Sequence, residues 1–265
     1  MELEGRVAVV TGAGRGLGRA TALALAEQGA RVAVLARSLS EVEETALRIR
    51  QDYGIGRSIA IRADVSSERD VQVAFDTVRK RWGGVGILVN NAGGMGATKP
   101  IVLLTLAEWQ ATLDVNLNGT FLCTREALKD MIPRRWGRIV NVSSATAAIP
   151  VPGMSPYAVA KAAVEHFASQ VAAEAGQYGV MAVCLRPGVI DTRMQEEMRT
   201  RPPDSISPEL HAAFSAYKVK GMLVAPERPA RIIAYLCSDR LSSYVNGRAL
   251  DSGEVEELLA GQPGR

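Results

Sequence analysis

Short apolar runs rich in β-branched residues alternate along the chain with longer stretches in which apolar positions recur at helical spacing. Arg6 to Thr11 reads as a strand and Arg15 to Gln28 as a helix. Arg31 to Ala36 is a second strand, followed by a helix from Ser40, a strand from Ser58 to Ala63 and a helix from Ser67 to Trp82. Alternation of this kind specifies a parallel sheet. Ile87 to Asn90, Arg138 to Val142 and Val180 to Arg186 add three strands that are apolar almost throughout, as expected where helices cover both faces of a sheet. A last strand is placed near Arg248 to Leu250. Ser40 and Ser67 are suited to cap helices, each with a carboxylate three residues on, Glu43 and Asp70. Gly29 and Gly54 sit where helices should stop. Thr192 to Ala225 breaks the pattern, because Pro202-Pro203 and Pro208 interrupt charged, weakly helical sequence just after a strand end. It reads as a lid, residues 192–225, within one domain spanning 1–265.

Composition narrows the function classes. The 265 residues are 47% hydrophobic, enough for a large core. The net charge of +3 comes from 31 basic and 28 acidic residues without a run of like charge, which argues against a nucleic-acid partner. The densest basic cluster, Arg134, Arg135 and Arg138, reads as a solvated connection between a helix and a strand. Cys123, Cys184 and Cys237 are odd in number and set among apolar neighbours, so they read as small buried hydrophobes in a reducing compartment. The N-terminal residues lack the basic and apolar regions of a signal peptide, and no apolar run of about 18 residues could span a bilayer. The expectation is a cytoplasmic protein without a membrane partner.

The first strand runs into Gly12-Ala13-Gly14-Arg15-Gly16-Leu17-Gly18 and then directly into a helix. Glycines there let the backbone approach a pyrophosphate, whose charge sits on the helix N-terminus. The fingerprint G-x-G-x-x-G/A fails in both frames, meeting Leu17 in one and Arg19 in the other. The pattern present is T-G-x-x-x-G-x-G, which resembles that of the short-chain dehydrogenase/reductase family. In NAD-binding folds an acidic residue ending the second strand takes the ribose 2′-hydroxyl. Here that strand ends Val34-Leu35-Ala36-Arg37-Ser38, without a carboxylate. Ala36 leaves room for a 2′-phosphate, Arg37 can grip it bidentately, Arg15 adds a second cation and Ser38 a donor. The bland reading makes both arginines solvated surface charges. Absence of the acid and presence of the base agree on NADP(H) over NAD(H).

Tyr157-Ala158-Val159-Ala160-Lys161 opens a helical stretch, and the i, i+4 spacing puts the phenol and the ammonium on one face. A free tyrosine titrates near ~10, so a neighbouring cation that favours phenolate suits it to acid/base chemistry near neutrality. Tyr-x-x-x-Lys alone would more simply be an incidental pair. Upstream, however, Arg138-Ile139-Val140-Asn141-Val142-Ser143-Ser144 is a strand ending in hydroxyls. The set resembles the family's Ser/Tyr/Lys triad, and the family's usual spacing of thirteen residues from serine to tyrosine selects Ser144 over Ser143.

The resemblance extends over almost the whole chain. It implies that Ser144 hydrogen-bonds the substrate oxygen, that Tyr157 exchanges its proton, and that Lys161 lowers the phenol pKa and holds the nicotinamide ribose. Asn116, in Asp114-Val115-Asn116-Leu117-Asn118-Gly119, matches the asparagine that keeps a water in the proton relay. Asn90-Asn91-Ala92-Gly93 resembles the segment bordering the cofactor, and Asp64-Val65 lies where relatives contact adenine. Pro187, Gly188, Ile190 and Thr192 match the turn that would bind the carboxamide. Asp251-Ser252-Gly253-Glu254 departs from the Gly-Gly pair of many relatives.

The implied fold is a doubly wound α/β Rossmann sheet of about seven parallel strands, in the order 3-2-1-4-5-6-7, with helices on both faces. The implied activity is hydride transfer between NADP(H) and a small-molecule carbonyl or alcohol, with a 3-oxoacyl thioester-like ketone as the leading substrate. An alcohol, sugar or steroid dehydrogenase on the same core is the rival, and a silent NADP(H)-binding sensor is the rival of another class. Relatives of this kind are commonly homotetramers or homodimers packed through Leu106 to Met131 and Tyr157 to Tyr178. His166 reads as a helical side chain, and no residues near it have metal-ligand spacing. His211 falls in the lid. Met95, Met154, Met194 and Met198 are open to two readings, pocket lining or gap filling. Trp82, Trp109 and Trp136 read as packing residues.

Overall fold

The computed structural model describes residues 1–202, 206–240 and 242–261; Pro203 of the expected Pro202-Pro203 interruption lies outside them. Seven strands, β1 (Val7–Thr11), β2 (Arg31–Ala36), β3 (Ser58–Arg62), β4 (Ile87–Asn90), β5 (Gly137–Val142), β6 (Val180–Arg186) and β7 (Ala249–Asp251), form one sheet. The order is β3-β2-β1-β4-β5-β6-β7, and every pair is parallel. The helices are α1 (Gly16–Glu27), α2 (Leu39–Tyr53), α3 (Glu68–Trp82), α4 (Leu106–Leu113), α5 (Gly119–Met131), α6 (Ser155–Ala175), α7 (Arg193–Thr200), α8 (Pro208–Val219), α9 (Glu227–Leu236), α10 (Ser242–Val245) and α11 (Ser252–Ala260).

Near-continuous apolar strands are explained by two cores, one on each face. Ala8 and Val10 of β1 point to one, with Leu25 of α1, Ile49 of α2 and Ile233 of α9. Val7 and Val9 point to the other, with Phe75 of α3, Cys123 of α5 and Val171 of α6. The period of two in a strand serves both faces only if both residue sets are apolar. Strand order reverses between β1 and β4, and the crevice at the carboxyl ends of those strands is where such sheets bind ligands.

Three local expectations are corrected. The cap of α2 is Ser38, which accepts from the Glu41 backbone N–H at 3.4 Å, not Ser40. Both serines have a glutamate three residues on, but the earlier start carries the helix in register with Val42, Thr45, Ala46 and Ile49 on its buried face. Ser67 caps α3 as expected, yet the Asp70 carboxylate turns away from a capping box and accepts from the Asp64 backbone N–H at 3.1 Å. Arg138 is not solvated: only 6% exposed, it pairs with Asp239 and stacks 4.7 Å from the Trp136 ring centroid, while Arg6 lies 3.6 Å from the same centroid.

All three cysteines are buried and form no disulfide. Among the described residues, no helix is long and apolar enough to cross a membrane. Pro208 opens α8 instead of interrupting a helix, with Ser207 as the cap that accepts from the Leu210 backbone N–H. Together α7 and α8 form an excursion that leaves and rejoins the body at a parallel bridge between Ile190 and Val224.

Candidate active site

The sheet's switch point is laced by hydrogen bonds from the turn after β1. Thr11 Oγ1 accepts from the backbone N–H groups of Asn91 and Ala92, each at 3.0 Å, and the Asn91 side chain donates to the carbonyls of Thr11 at 2.9 Å and Gly12 at 3.2 Å. Gly12 has a φ of +63°, and a Cβ on Gly18 would overlap the Gly12 carbonyl oxygen. Strand β1 and helix α1 can approach this closely only without side chains. No side chain caps α1 and its first turn holds no acidic residue, so its positive end is left for an anion.

That end opens on a cavity of about 640 Å³. Gly12, Gly14, Arg15, Gly16, Leu17, Gly18, Arg37, Ser38, Asp64 and Val65 line its first part; Asn91, Ala92, Gly93, Ser144, Tyr157, Lys161, Pro187, Gly188, Ile190 and Thr192 line the remainder. Of the residues expected at the site, only Asn116 stands behind the wall. A Cβ on Gly93 would lie 2.7 Å from Asn116 Oδ1 and 3.5 Å from Lys161 Nζ, which places both groups beneath that glycine. A bare helix N-terminus, a glycine cradle and two arginines at one end suit a dinucleotide.

β5 carries the two serines to the cavity in different roles. Ser143 is buried, and its hydroxyl donates to Glu165 Oε1 at 2.6 Å. Ser144 faces the cavity and accepts from the Thr146 backbone N–H at 3.2 Å. α6 places Tyr157 and Lys161 beside it, with Lys161 Nζ donating to the Val142 carbonyl at 2.7 Å and lying 5.6 Å from the phenol ring centroid. Burial pushes the Tyr157 phenol up to about 12, against a hydrogen bond with Ser144 that lowers it. Burial also draws the Lys161 amine down to about 8. Desolvation thus dominates the phenol in this structure, and Lys161 is anchored on a carbonyl.

Asn116 sits in a π-helical turn, Asp114–Asn118, between α4 and α5. Its side chain donates to the carbonyls of Gly94 at 3.0 Å and Thr112 at 2.9 Å and accepts from the Gly94 N–H at 3.3 Å. The sequence reading missed this turn and also Glu165, which ties Ser143 to Arg186 through a bidentate pair at 2.8 and 2.7 Å. It also missed Leu210, Phe214 and Tyr217 of α8, whose i, i+4 and i+3 spacing marks a cavity-facing stripe. These residues close a small apolar cluster with Met154, Tyr157, Met198 and Ile206, against which Met95 packs. Met194 lines the cavity. His211 Nε2 lies 2.9 Å from the Arg199 carbonyl, joining α8 to α7, and His166 is on the outer side of α6 against Gln170. Among the described residues there is no cluster able to hold a metal.

At the other end, Arg15 pairs with Glu41 at 3.1 Å and Arg37 is exposed. Burial would raise the Asp64 carboxyl, but the Ser66 hydroxyl and N–H, together with Arg37, hold it below its ordinary value.

A family model for short chain dehydrogenases matches residues 6–203. The chain belongs to the short-chain dehydrogenase/reductase family. This short-chain dehydrogenase is 33% identical over 250 residues to a 3-oxoacyl-acyl-carrier-protein reductase of Aquifex aeolicus, covering 94% of this chain and 96% of that one. It is 35% identical over 250 residues to 3beta-hydroxysteroid dehydrogenase 1 of Eggerthella lenta, with 94% and 92% covered. A gluconate 5-dehydrogenase from Burkholderia cenocepacia, solved in complex with NADP and tartrate, superposes with a TM-score of 0.83 at 30% identity, covering 94% of each chain. The protein is an enzyme, an oxidoreductase acting on CH–OH groups.

Proposed function

We propose that this dehydrogenase is an NADP(H)-dependent ketoreductase with Ser144, Tyr157, Lys161 and Asn116 as its catalytic set. The observation that carries the reading is the convergence of the Ser144 hydroxyl, the Tyr157 phenol and the Lys161 amine on one cavity, with Asn116 directly behind its wall. When bound, the nicotinamide supplies or accepts the hydride. Tyr157 holds its proton at neutral pH, as any phenol does and the more so for its burial, and it delivers that proton to the substrate oxygen as charge develops there. Ser144 donates to the same oxygen. Lys161, a fixed cation beneath the phenol, stabilises the phenolate left behind, and Asn116 holds the Gly94 backbone and the wall in front of Lys161.

Arg37 and Arg15 favour a 2′-phosphate, and the relative solved with NADP is consistent with this. Residues 192–225 act as the lid, and their apolar cluster beside Tyr157 suits an acyl chain or ring. A 3-oxoacyl thioester or similar ketone is the leading substrate. The same apolar wall fits the steroid alcohol named for the Eggerthella relative, which makes a steroid or alicyclic alcohol the second reading. The exposed Ile101, Val102, Leu103 and Leu106 support a homodimer or homotetramer, and buried free cysteines fit a cytoplasmic home.

Tyr157→Phe tests the proposal. It should lower turnover by about a hundredfold or more on a panel of ketones while leaving the Kd for NADPH unchanged. Retained turnover would remove Tyr157 as the acid. Tight NADPH binding by the unaltered enzyme with no ketone reduced in the panel would favour the sensor reading.

A further inference from the structure

Ala36 at the end of β2 leaves no carboxylate there, yet the adenosine end of the cavity is not free of acid. Glu41, in the first turn of α2, lines the same cavity as Arg15, Arg37 and Asp64. Its placement is fixed on both sides. A Cβ on Gly14 would lie 2.7 Å from Glu41 Cβ, so the glutamate stem packs flat on the glycine loop. Its backbone N–H is held by the Ser38 hydroxyl. Glu44, three residues further along α2, is taken by Arg19, whose guanidinium also holds the Gly14 carbonyl. Glu41 is thus left for Arg15, at 3.1 Å, with the pair partly open to solvent at 49% and 30% side-chain exposure. Two cations and two anions face this end, and their formal charges cancel.

We infer that Glu41 sets the coenzyme preference by competing with a 2′-phosphate for Arg15 and by offering a 2′-hydroxyl the acceptor that β2 lacks. The inference rests on the reading of this end as the adenosine site. A 2′-phosphate carries close to two negative charges and several strong acceptors, so it competes with Glu41 for the Arg15 guanidinium, which the glutamate already holds through Nη1, and it meets the glutamate as a like charge. A ribose 2′-hydroxyl imposes neither cost, since it can donate to the carboxylate with the pair intact. Arg37, exposed and facing Asp64 across the cavity, serves the phosphate in either case. The enzyme accordingly accepts both dinucleotides, with a narrower preference for NADP(H) than two free arginines would give.

The test uses 2′,5′-ADP and 5′-AMP, which differ by the 2′-phosphate alone, with NADP⁺ and NAD⁺ alongside, all measured as Kd by calorimetry on the full chain. Glu41→Gln keeps the shape of the side chain and removes its charge. It should bind 2′,5′-ADP and NADP⁺ about tenfold tighter while leaving 5′-AMP and NAD⁺ unchanged or weaker. Adding Arg15→Gln should cancel that gain. Unchanged 2′,5′-ADP affinity in Glu41→Gln, an equal gain for 5′-AMP, or a gain that survives Arg15→Gln would each overturn the inference. Failure of the underlying reading looks different: neither nucleotide would bind, or Arg37→Gln would leave 2′,5′-ADP affinity intact in both backgrounds. Unfolding midpoints of the variants, expected to match the parent, separate a lost fold from a changed site.

Discussion

Lys161 is 4% exposed and its amine, ordinarily near 10.5, is drawn down to about 8 by burial. The consequence for stability has a definite sign. Between those two values the unfolded chain binds more protons than the folded one, so stability rises with pH across that window and is flat below it. Relative to Lys161→Met, the parent should gain about 3 kcal/mol from about pH 8 to 10.5, readable from denaturant midpoints at about pH 7 and about pH 10. Parallel behaviour of the two proteins would mean that the amine is not desolvated. At this scale the placement of Tyr157, Lys161 and the cofactor-end arginines on one cavity was legible because local spacing, read together with the family resemblance, pointed to them. Glu165 and Arg186 were not, because a pair 21 residues apart on a helix and a strand leaves no periodic trace. Glu41 was hidden for a different reason: its position in α2 looks like any acid favouring a helix N-terminus.

The start of α1 shows what an element demands of its neighbours. A Cβ on Gly18 would collide with the Gly12 carbonyl and with Asn91 Nδ2 at 2.5 Å, forcing helix and strand apart. Gly18→Ala should destabilise the protein by about 1–3 kcal/mol, with a lower Tm and weakened NADPH binding measured together. Gly94→Ala is the control, since its Cβ would meet nothing within 4 Å, and an equal loss of Tm in both would refute the steric argument. Most strands and helices match the alternation of apolar runs to within a residue or two. Within Leu106 to Met131 the pattern gives no sign of the π-helical turn at Asp114–Asn118 that separates α4 from α5. One extra residue in a helical turn barely changes the apolar pattern, while it reorients Asn116 towards Gly94.

For the whole molecule, the sheet order was legible because right-handed crossovers leave few ways to arrange alternating strands and helices, and the family resemblance chose among them. The surface carries a consequence of its own. Ile101, Val102, Leu103 and Leu106 are 61–88% exposed and fall within six residues of sequence, an apolar patch that the proposed oligomer would cover. Leu106→Glu, at a helix start that tolerates acid, should shift sedimentation of the assembly towards the 28.3 kDa monomer. A parent protein that already sediments as a monomer would dismiss the oligomer. The segment 192–225 was less legible, because it is held by contacts with distant parts of the chain, such as Arg201 donating to Thr98 Oγ1 at 2.6 Å in the segment after β4, and not by periodicity. Its two ends meet in one step of ladder, with the Asp191 N–H on the Val224 carbonyl at 2.9 Å and the Val224 N–H on the Val189 carbonyl at 2.8 Å. An excursion stapled at its neck behaves as an interchangeable part. Because closure entropy varies slowly with loop length, everything between the staples can be lengthened, shortened or exchanged while the sheet is left as it was. With the proposed lid role, grafting this single segment would open new substrate ranges to the scaffold.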